Sequence, residues 1–167
     1  MTIAEFDHLA SEKKKELLLQ CCGSSLWVNK MLNALPVEDL VDLLETAEEK
    51  FYQCNVKDWK EAFEHHPKIG DINSLKEKFA STKELAMNEQ SAVNDADEIT
   101  LQQLADANKE YEQKFGFIFI VCATGKTAKE MLDVLQSRLH NTGENEIKNA
   151  AEEQLKITKL RLEKLFT

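Results

Sequence analysis

The stretch that decides the fold is VEDLVDLLETAEEKFYQC, residues 37–54. Apolar side chains recur along it at spacings of three and four residues. They are Leu40, Val41, Leu43, Leu44, Ala47 and Phe51. This period places the apolar side chains on one face of an α-helix, where they can pack against a core. The stretch therefore predicts an amphipathic helix.

The rest of the chain is divided into further helical segments by residues that start or stop helices. The two serines of SSLWVNKMLNAL offer side-chain oxygens to the first turn of a helix. Gly23, Pro36, Pro67 and Gly116 lie where the helical pattern breaks. The pattern therefore predicts an all-α protein.

One segment, FIFIV at residues 117–121, departs from the helical pattern because it is β-branched and aromatic. A single short run of this kind has no partner with which to build a sheet. We therefore predict a buried extended or helical segment there. The whole prediction is a single compact domain over residues 1–167, with about eight to nine helices and one short extended segment.

The composition narrows the class of protein. Hydrophobic residues make up 43% and charged residues 31%, which is typical of a soluble globular protein. The longest apolar run, residues 115–123, is too short to cross a bilayer. The first residues lack the apolar stretch of a signal peptide, so we expect a cytoplasmic protein. The net charge of −9 argues against a nucleic-acid partner, since phosphate binding needs basic surface.

The cysteines and histidines do not form a metal-binding pattern. Cys21, Cys22, Cys54 and Cys122 contain no C-x-x-C pair, and the histidines complete no zinc spacing. In a cytosolic protein such cysteines are reduced and packed. We therefore expect no structural metal.

Two adjacent histidines lie in EHHPKIGD, residues 64–71. Counting back three and four residues from His66 reaches Phe63 and Ala62, so His66 lies on the apolar face and His65 on the polar one. A histidine at a helix C-terminus is favoured as imidazolium, which suits a proton donor near neutral pH. The alternative is a residue that merely caps the last helical carbonyls.

Two charged residues interrupt apolar helical faces. Glu89 lies four residues from both Leu85 and Val93. On the last helix, Arg161 lies four residues from both Ile157 and Leu165. An inward charge is uncommon unless it is paired or functional. Glu89 could instead reach water at a helix edge, and Arg161 could form a structural salt bridge. Arg138 lies at the edge of its apolar stripe and ranks below Arg161.

Several blocks of sequence, taken in order, resemble one enzyme family. They are CCGSSLWVNKM, HPKIGD, NEQSAV, YEQKFGFIFIVCATGK, LQSRLHN and ITKLRLEKL. Together they cover most of the chain and resemble the 2-oxo-4-hydroxy-4-carboxy-5-ureidoimidazoline (OHCU) decarboxylases. These enzymes act at the end of the route from urate to (S)-allantoin.

The resemblance implies specific roles. His66 is the catalytic acid, and Pro67 lies against the substrate. Glu89 and Gln90 bind the ring and assist proton movement, and Arg161 holds the substrate anion.

The resemblance also implies a set of further substrate contacts. They are Ala86, Met87, Asn88, Ile118, Phe119, Ile120, Val121 and Cys122. The last five contribute main-chain groups that bind the ring amides. Many relatives have serine where this chain has Ala86, so a hydroxyl contact is missing at that position.

The function implied is a carboxy-lyase that converts a small anionic ureidoimidazoline to (S)-allantoin without a cofactor. A homodimer is expected, with no nucleic-acid or membrane partner. Two alternatives remain open. In one, the protein is a non-catalytic helical interaction module in which His66, Glu89 and Arg161 form a buried polar network. In the other, it is a different small-acid lyase or hydrolase that uses the same His/Glu pair.

Overall fold

The computed structural model describes residues 1–67, 73, 75–77 and 94–166. Eight α-helices have both ends within these ranges, and residues 73 and 75–77 are also helical. The helices are α1 (Ile3–Asp7), α2 (Ser11–Cys21), α3 (Ser25–Ala34), α4 (Leu40–Tyr52), α5 (Val56–Glu64), α6 (Asn94–Phe115), α7 (Ala128–Arg138) and α8 (Gly143–Leu165). No β-strand occurs within these ranges. The all-α prediction is confirmed.

The chain divides into two units. One comprises Met1–His66 and Ile147–Thr167, and the other comprises Pro67–Glu146. The single domain expected over residues 1–167 stays a prediction.

The core of the first unit is built around large side chains. Trp27 is fully buried, and its indole N–H donates to the Ala47 carbonyl over 3.0 Å. The rings of Phe51 and Trp59 stack with their centroids 5.9 Å apart. These contacts fix α3, α4 and α5 against one another.

Helix α4 confirms most of the apolar pattern from which the fold was predicted. Leu43, Ala47 and Phe51 are buried, as their spacing indicates. Val41 was wrongly placed on this face, since its side chain is 63% exposed. Each helical residue turns about 100°, so Val41 points well away from the row that Leu43, Ala47 and Phe51 form.

Helix α5 is fixed at its first turn by a capping box. The Asn55 side chain accepts from the main-chain N–H of Lys57 and Asp58, and the Asp58 carboxylate accepts from the N–H of Asn55. These bonds satisfy donors that the helix itself leaves unpaired. These hydrogen bonds fix the residue at which α5 begins. The two histidines follow its other end.

The second unit contains a buried ionic cluster. Glu146 is completely buried, and its Oε1 accepts from Arg138 Nε over 2.5 Å and from the Tyr111 hydroxyl over 2.5 Å. Its Oε2 accepts from the Asn141 side chain over 2.9 Å. Burial, together with the bond to Glu146, raises the pKa of Tyr111 well above its usual range. The cluster therefore holds a phenol, a guanidinium and a carboxylate in one arrangement.

The FIFIV segment, residues 117–121, is neither helix nor strand, so the helical alternative is wrong. Phe117 and Ile120 are buried, as expected, whereas the other three residues are half-buried. Gly116, with φ of 76°, allows the chain to leave α6. Arg138 Nη1 donates to the Ile120 carbonyl over 2.6 Å, and its guanidinium lies 4.7 Å from the centre of the Phe119 ring. Arg138, which ranked second among the arginines, therefore holds this segment in place.

We expect Glu146→Gln to lower the free energy of unfolding by roughly 3–5 kcal/mol, because Arg138 would remain buried without its counter-charge. Asp133→Asn is the matched control, since Asp133 pairs with Lys129 on the surface. That change should cost about 1 kcal/mol or less. Urea melts of the two variants measure both values, and equal losses would contradict the account of the cluster.

Candidate active site

The end of α5 separates its two histidines. The N–H of His65 donates to the Ala62 carbonyl over 3.2 Å, and the N–H of His66 donates to the Phe63 carbonyl over 3.1 Å. His65 is exposed, whereas His66 is half-buried, as the helical spacing predicts. Pro67, which follows, is exposed. The main-chain amides of His65 and His66 therefore close the end of the helix.

The His66 ring is held by a buried amide on α8. Its Nε2 lies 2.6 Å from Oε1 of Gln154, whose side chain is completely buried. Gln154 Nε2 in turn donates to Thr158 Oγ1 over 3.2 Å. Gln154 was not predicted from the sequence, although the sequence contains one signal. Gln154 and Thr158 are polar residues four apart, on the same helical row as Arg161.

The cysteines near this site are not activated nucleophiles. Burial raises the pKa of the Cys22 thiol to about 11, although hydrogen bonds to Ser24 and Thr158 act in the opposite direction. Burial also raises the pKa of Cys21 and of Cys54 to about 11. All three thiols are therefore protonated at neutral pH and act as packing groups.

Arg161 binds main-chain carbonyls. Its Nη1 donates to the carbonyls of Gln20 and Cys21, each over 3.3 Å, at the end of α2. A cation is favoured there by the helix dipole. Within the described part of the chain, no carboxylate forms an ion pair with Arg161. Arg161 follows Gln154 by seven residues, about 10 Å along the helix axis, so both lie on one face of α8.

Five of the predicted site residues lie outside the part of the chain that the structure describes. They are Ala86, Met87, Asn88, Glu89 and Gln90. The proposed pairing of Glu89 with Arg161 is therefore untested.

The extended segment belongs to the second unit, and its five predicted site residues differ in exposure. Ile120 is buried, whereas Ile118, Phe119, Val121 and Cys122 are half-buried. Because Arg138 occupies the Ile120 carbonyl, that group is already engaged within the protein.

Residues 1–67, 73, 75–77 and 94–166 contain neither a cluster of metal-binding side chains nor a membrane-spanning helix. No group of three or more His, Cys, Asp and Glu side chains in these ranges is arranged to hold a metal ion. None of the helices found there combines the length and the apolar character needed to cross a bilayer.

His65 lies directly over the main chain of Gly23. A methyl group on residue 23 would be 2.3 Å from Cγ of the imidazole and 2.6 Å from Cβ of His65. Both distances are far below van der Waals contact, and neither atom is at the far end of a flexible side chain. A larger residue at position 23 would therefore have to displace the end of α5, where His66 lies.

The fold and the sequence together define the class of protein. A sequence profile described as OHCU decarboxylase matches residues 7–163. That match covers nearly the whole chain, and the chain belongs to the OHCU decarboxylase family.

Particular relatives share the family. The chain is 40% identical over 147 residues to the uric acid degradation bifunctional protein TTL of Arabidopsis thaliana, with 88% of this chain and 45% of that protein covered. It is 30% identical over 127 residues to the uric acid degradation bifunctional protein of Bacillus sp. (strain TB-90), with 76% and 23% covered. The chain thus spans less than half the length of these two relatives.

Solved structures are also similar. An OHCU decarboxylase whose structure was determined in the presence of (S)-allantoin is 39% identical, with a TM-score of 0.72 over 95% of this chain and 99% of that one. An (S)-allantoin synthase is 19% identical, with a TM-score of 0.70 over 98% of this chain and 54% of that one. The second similarity shows a shared fold.

We expect Gly23→Ala to lower the free energy of unfolding by about 1–3 kcal/mol, the usual cost of overpacking. Gly143→Ala is the control, because a methyl group there would meet no atom within 4 Å. Urea melts measure both. In the double variant Gly23→Ala/His65→Gly, compared with His65→Gly alone, most of the loss should be recovered, because glycine removes Cβ of residue 65 as well as the ring. Additive losses would contradict the contact.

Proposed function

We propose that this protein decarboxylates 2-oxo-4-hydroxy-4-carboxy-5-ureidoimidazoline to (S)-allantoin in urate degradation. The observation that carries the proposal is the position of His66. Within a family match over residues 7–163, the histidine of HPKIG is the half-buried one, and its ring is held by Gln154. The similar OHCU decarboxylase studied with (S)-allantoin supports the same product.

The chemistry of the substrate explains why these residue types suffice. The carboxylate is carried on a ring carbon next to a C=N bond. When the bond to CO2 breaks, its electron pair moves into that C=N bond, so the substrate supplies its own electron sink. A proton then replaces CO2 on the carbon, and delivery to one face sets the S configuration. The protein must orient the carboxylate, stabilise the developing charge and deliver the proton.

In this proposal His66 donates the proton and Arg161 holds the substrate anion. Arg161 already directs Nη1 to the Gln20 and Cys21 carbonyls. Because a guanidinium has five N–H donors, these two bonds leave others to bind a carboxylate. Glu89 and Gln90, with Ala86, Met87 and Asn88 beside them, complete the proposed site, with Pro67 against the substrate.

The extended segment is proposed to bind the ring through its main chain. Ile118, Phe119, Val121 and Cys122 each have a main-chain N–H donor and a carbonyl acceptor, the groups that bind ring amides. Ile120 has them too, and one lone pair of its carbonyl already accepts from Arg138. The proposal includes a cytoplasmic location, from the composition, and a homodimer, from the resemblance. The reaction as written uses no metal or cofactor.

The test is the conversion of freshly prepared OHCU, followed by the circular dichroism of (S)-allantoin and compared with the spontaneous reaction. We expect His66→Asn to lower turnover by about 10²- to 10⁴-fold, the usual contribution of a positioned proton donor. His65→Asn is the control and should remain close to the wild type, because His65 is exposed. Equal losses in two folded variants would refute the assignment of His66, and no conversion by the wild type would favour a non-catalytic module.

For Arg161 we expect a large effect on catalysis and a small one on stability. Arg161→Gln should lower kcat/KM by about a hundredfold or more, as for other preorganised electrostatic groups. Its free energy of unfolding should fall by only about 1 kcal/mol or less, because the side chain is half-exposed. Arg161→Lys keeps the charge but loses the fork of donors, and should lie in between. A variant that melts early yet keeps normal turnover per folded molecule would show that Arg161 is structural.

A further inference from the structure

A continuous set of hydrogen bonds joins His66 to two buried side chains on α8. His66 Nε2 lies 2.6 Å from Gln154 Oε1, and Gln154 Nε2 lies 3.2 Å from Thr158 Oγ1. The Thr158 hydroxyl lies 2.9 Å from the main-chain carbonyl of Gln154, one turn back on the same helix. Gln154 and Thr158 are both completely buried. Bulk water therefore does not compete for these bonds.

The direction of the bonds follows from the single proton of the Thr158 hydroxyl. The shorter contact of this hydroxyl is to the Gln154 carbonyl, and a carbonyl only accepts. With its proton used there, Thr158 Oγ1 can only accept from the Gln154 side chain. The NH2 group of Gln154 must then face Thr158, and its carbonyl oxygen must face His66. A rotated amide would place two acceptors against each other at Thr158.

The neighbouring Cys22 thiol does not change the direction of these hydrogen bonds. Burial raises the pKa of Cys22 to about 11, so Cys22 remains a neutral thiol at physiological pH. A thiolate would have demanded the proton of the Thr158 hydroxyl, to which Cys22 is hydrogen-bonded. With a neutral thiol beside it, the Thr158 hydroxyl can keep donating its proton to the main-chain carbonyl of Gln154.

The tautomer of His66 follows from the orientation of the amide. An amide oxygen has no proton to give, so at 2.6 Å from it His66 Nε2 must carry one. We propose that Gln154, oriented by Thr158, is a positioning residue that keeps the proton on Nε2 of His66 and makes Nδ1 the nitrogen that exchanges protons.

This arrangement suits a residue that must alternate between two charge states. Both imidazole and imidazolium carry a proton on Nε2, so the bond to Gln154 persists in both. In the catalytic step, which rests on the proposed function, the Nδ1 proton moves to the carbon that lost CO2. The neutral ring then takes a proton from water at Nδ1. Only Nδ1 gains and loses a proton, and the imidazole ring does not have to rotate.

The tautomer can be measured in the resting protein without substrate. In two-bond ¹H–¹⁵N correlation spectra, Nε2 of a histidine couples to both ring C–H protons, whereas Nδ1 couples strongly to only one. Above the pH at which the ring loses its charge, we expect His66 in the wild type to show a protonated Nε2 and an unprotonated Nδ1. The exposed His65 gives an internal reference for a ring in water. A protonated Nδ1 on neutral His66 would overturn the proposal.

Gln154→Met removes the acceptor while keeping a side chain of similar length. We expect mixed tautomer signals from His66 and at least about a tenfold fall in kcat, part of the 10²- to 10⁴-fold contribution of a proton donor. KM should change little, because Gln154 is not proposed to touch substrate. A variant that keeps a pure Nε2–H signal and normal kcat would overturn the role of Gln154.

A second pair of variants changes Thr158, which lies one hydrogen bond further from His66 than Gln154 does. This pair tests the proposal even if Gln154→Met folds poorly. Thr158→Val removes the hydroxyl and frees the amide to rotate, whereas Thr158→Ser retains it. We expect mixed tautomer signals and a lower kcat in the valine variant alone, and identical spectra in the two would contradict the proposal. If the wild type shows the Nε2–H form but does not convert OHCU, the proposed function fails and the positioning by Gln154 stands.

Discussion

The structure depends on the requirement that a polar side chain removed from water must find a partner inside the protein. Helix α8 meets this requirement at two completely buried residues, Glu146 and Gln154. Glu146 accepts from Arg138 and Tyr111, and Gln154 contacts His66. A third residue of the helix, the half-exposed Arg161, donates to carbonyls at the end of α2.

These three contacts involve the parts of the chain that matter for the proposed chemistry. Arg138, itself held by Glu146, binds the extended segment through Ile120. Gln154 binds the residue at the end of α5 that is proposed to supply the proton. Preorganisation of this kind reduces the reorganisation needed during a reaction, which is how proteins gain most from electrostatics. Within each unit, the hydrogen bonds that satisfy a buried polar group thus also hold a segment named in the proposal, His66 in the first unit and residues 117–121 in the second.

Much of this could be predicted from the sequence, because helical periodicity reports which face of a helix is buried. It separated His66 from His65 and identified the apolar row of α4, although it wrongly included Val41. Periodicity does not report what a buried polar residue contacts. Gln154 lies 88 positions from His66 in sequence, and only the folded chain brings them together. For the same reason Arg138 was ranked below Arg161, since its partners Tyr111 and Ile120 come from other parts of the chain.

Because the main-chain contacts are made by arginine side chains, they respond to a change of pH differently from contacts made by histidine. The chain has only two arginines, and both donate to carbonyl oxygens of the backbone. A guanidinium keeps its charge at every acidity found in a cell, whereas an imidazole does not. When the pH falls, these two side chains therefore keep all their donors. The main-chain contacts that hold the extended segment and the end of α2 thus persist over the range of pH in which histidines change their charge.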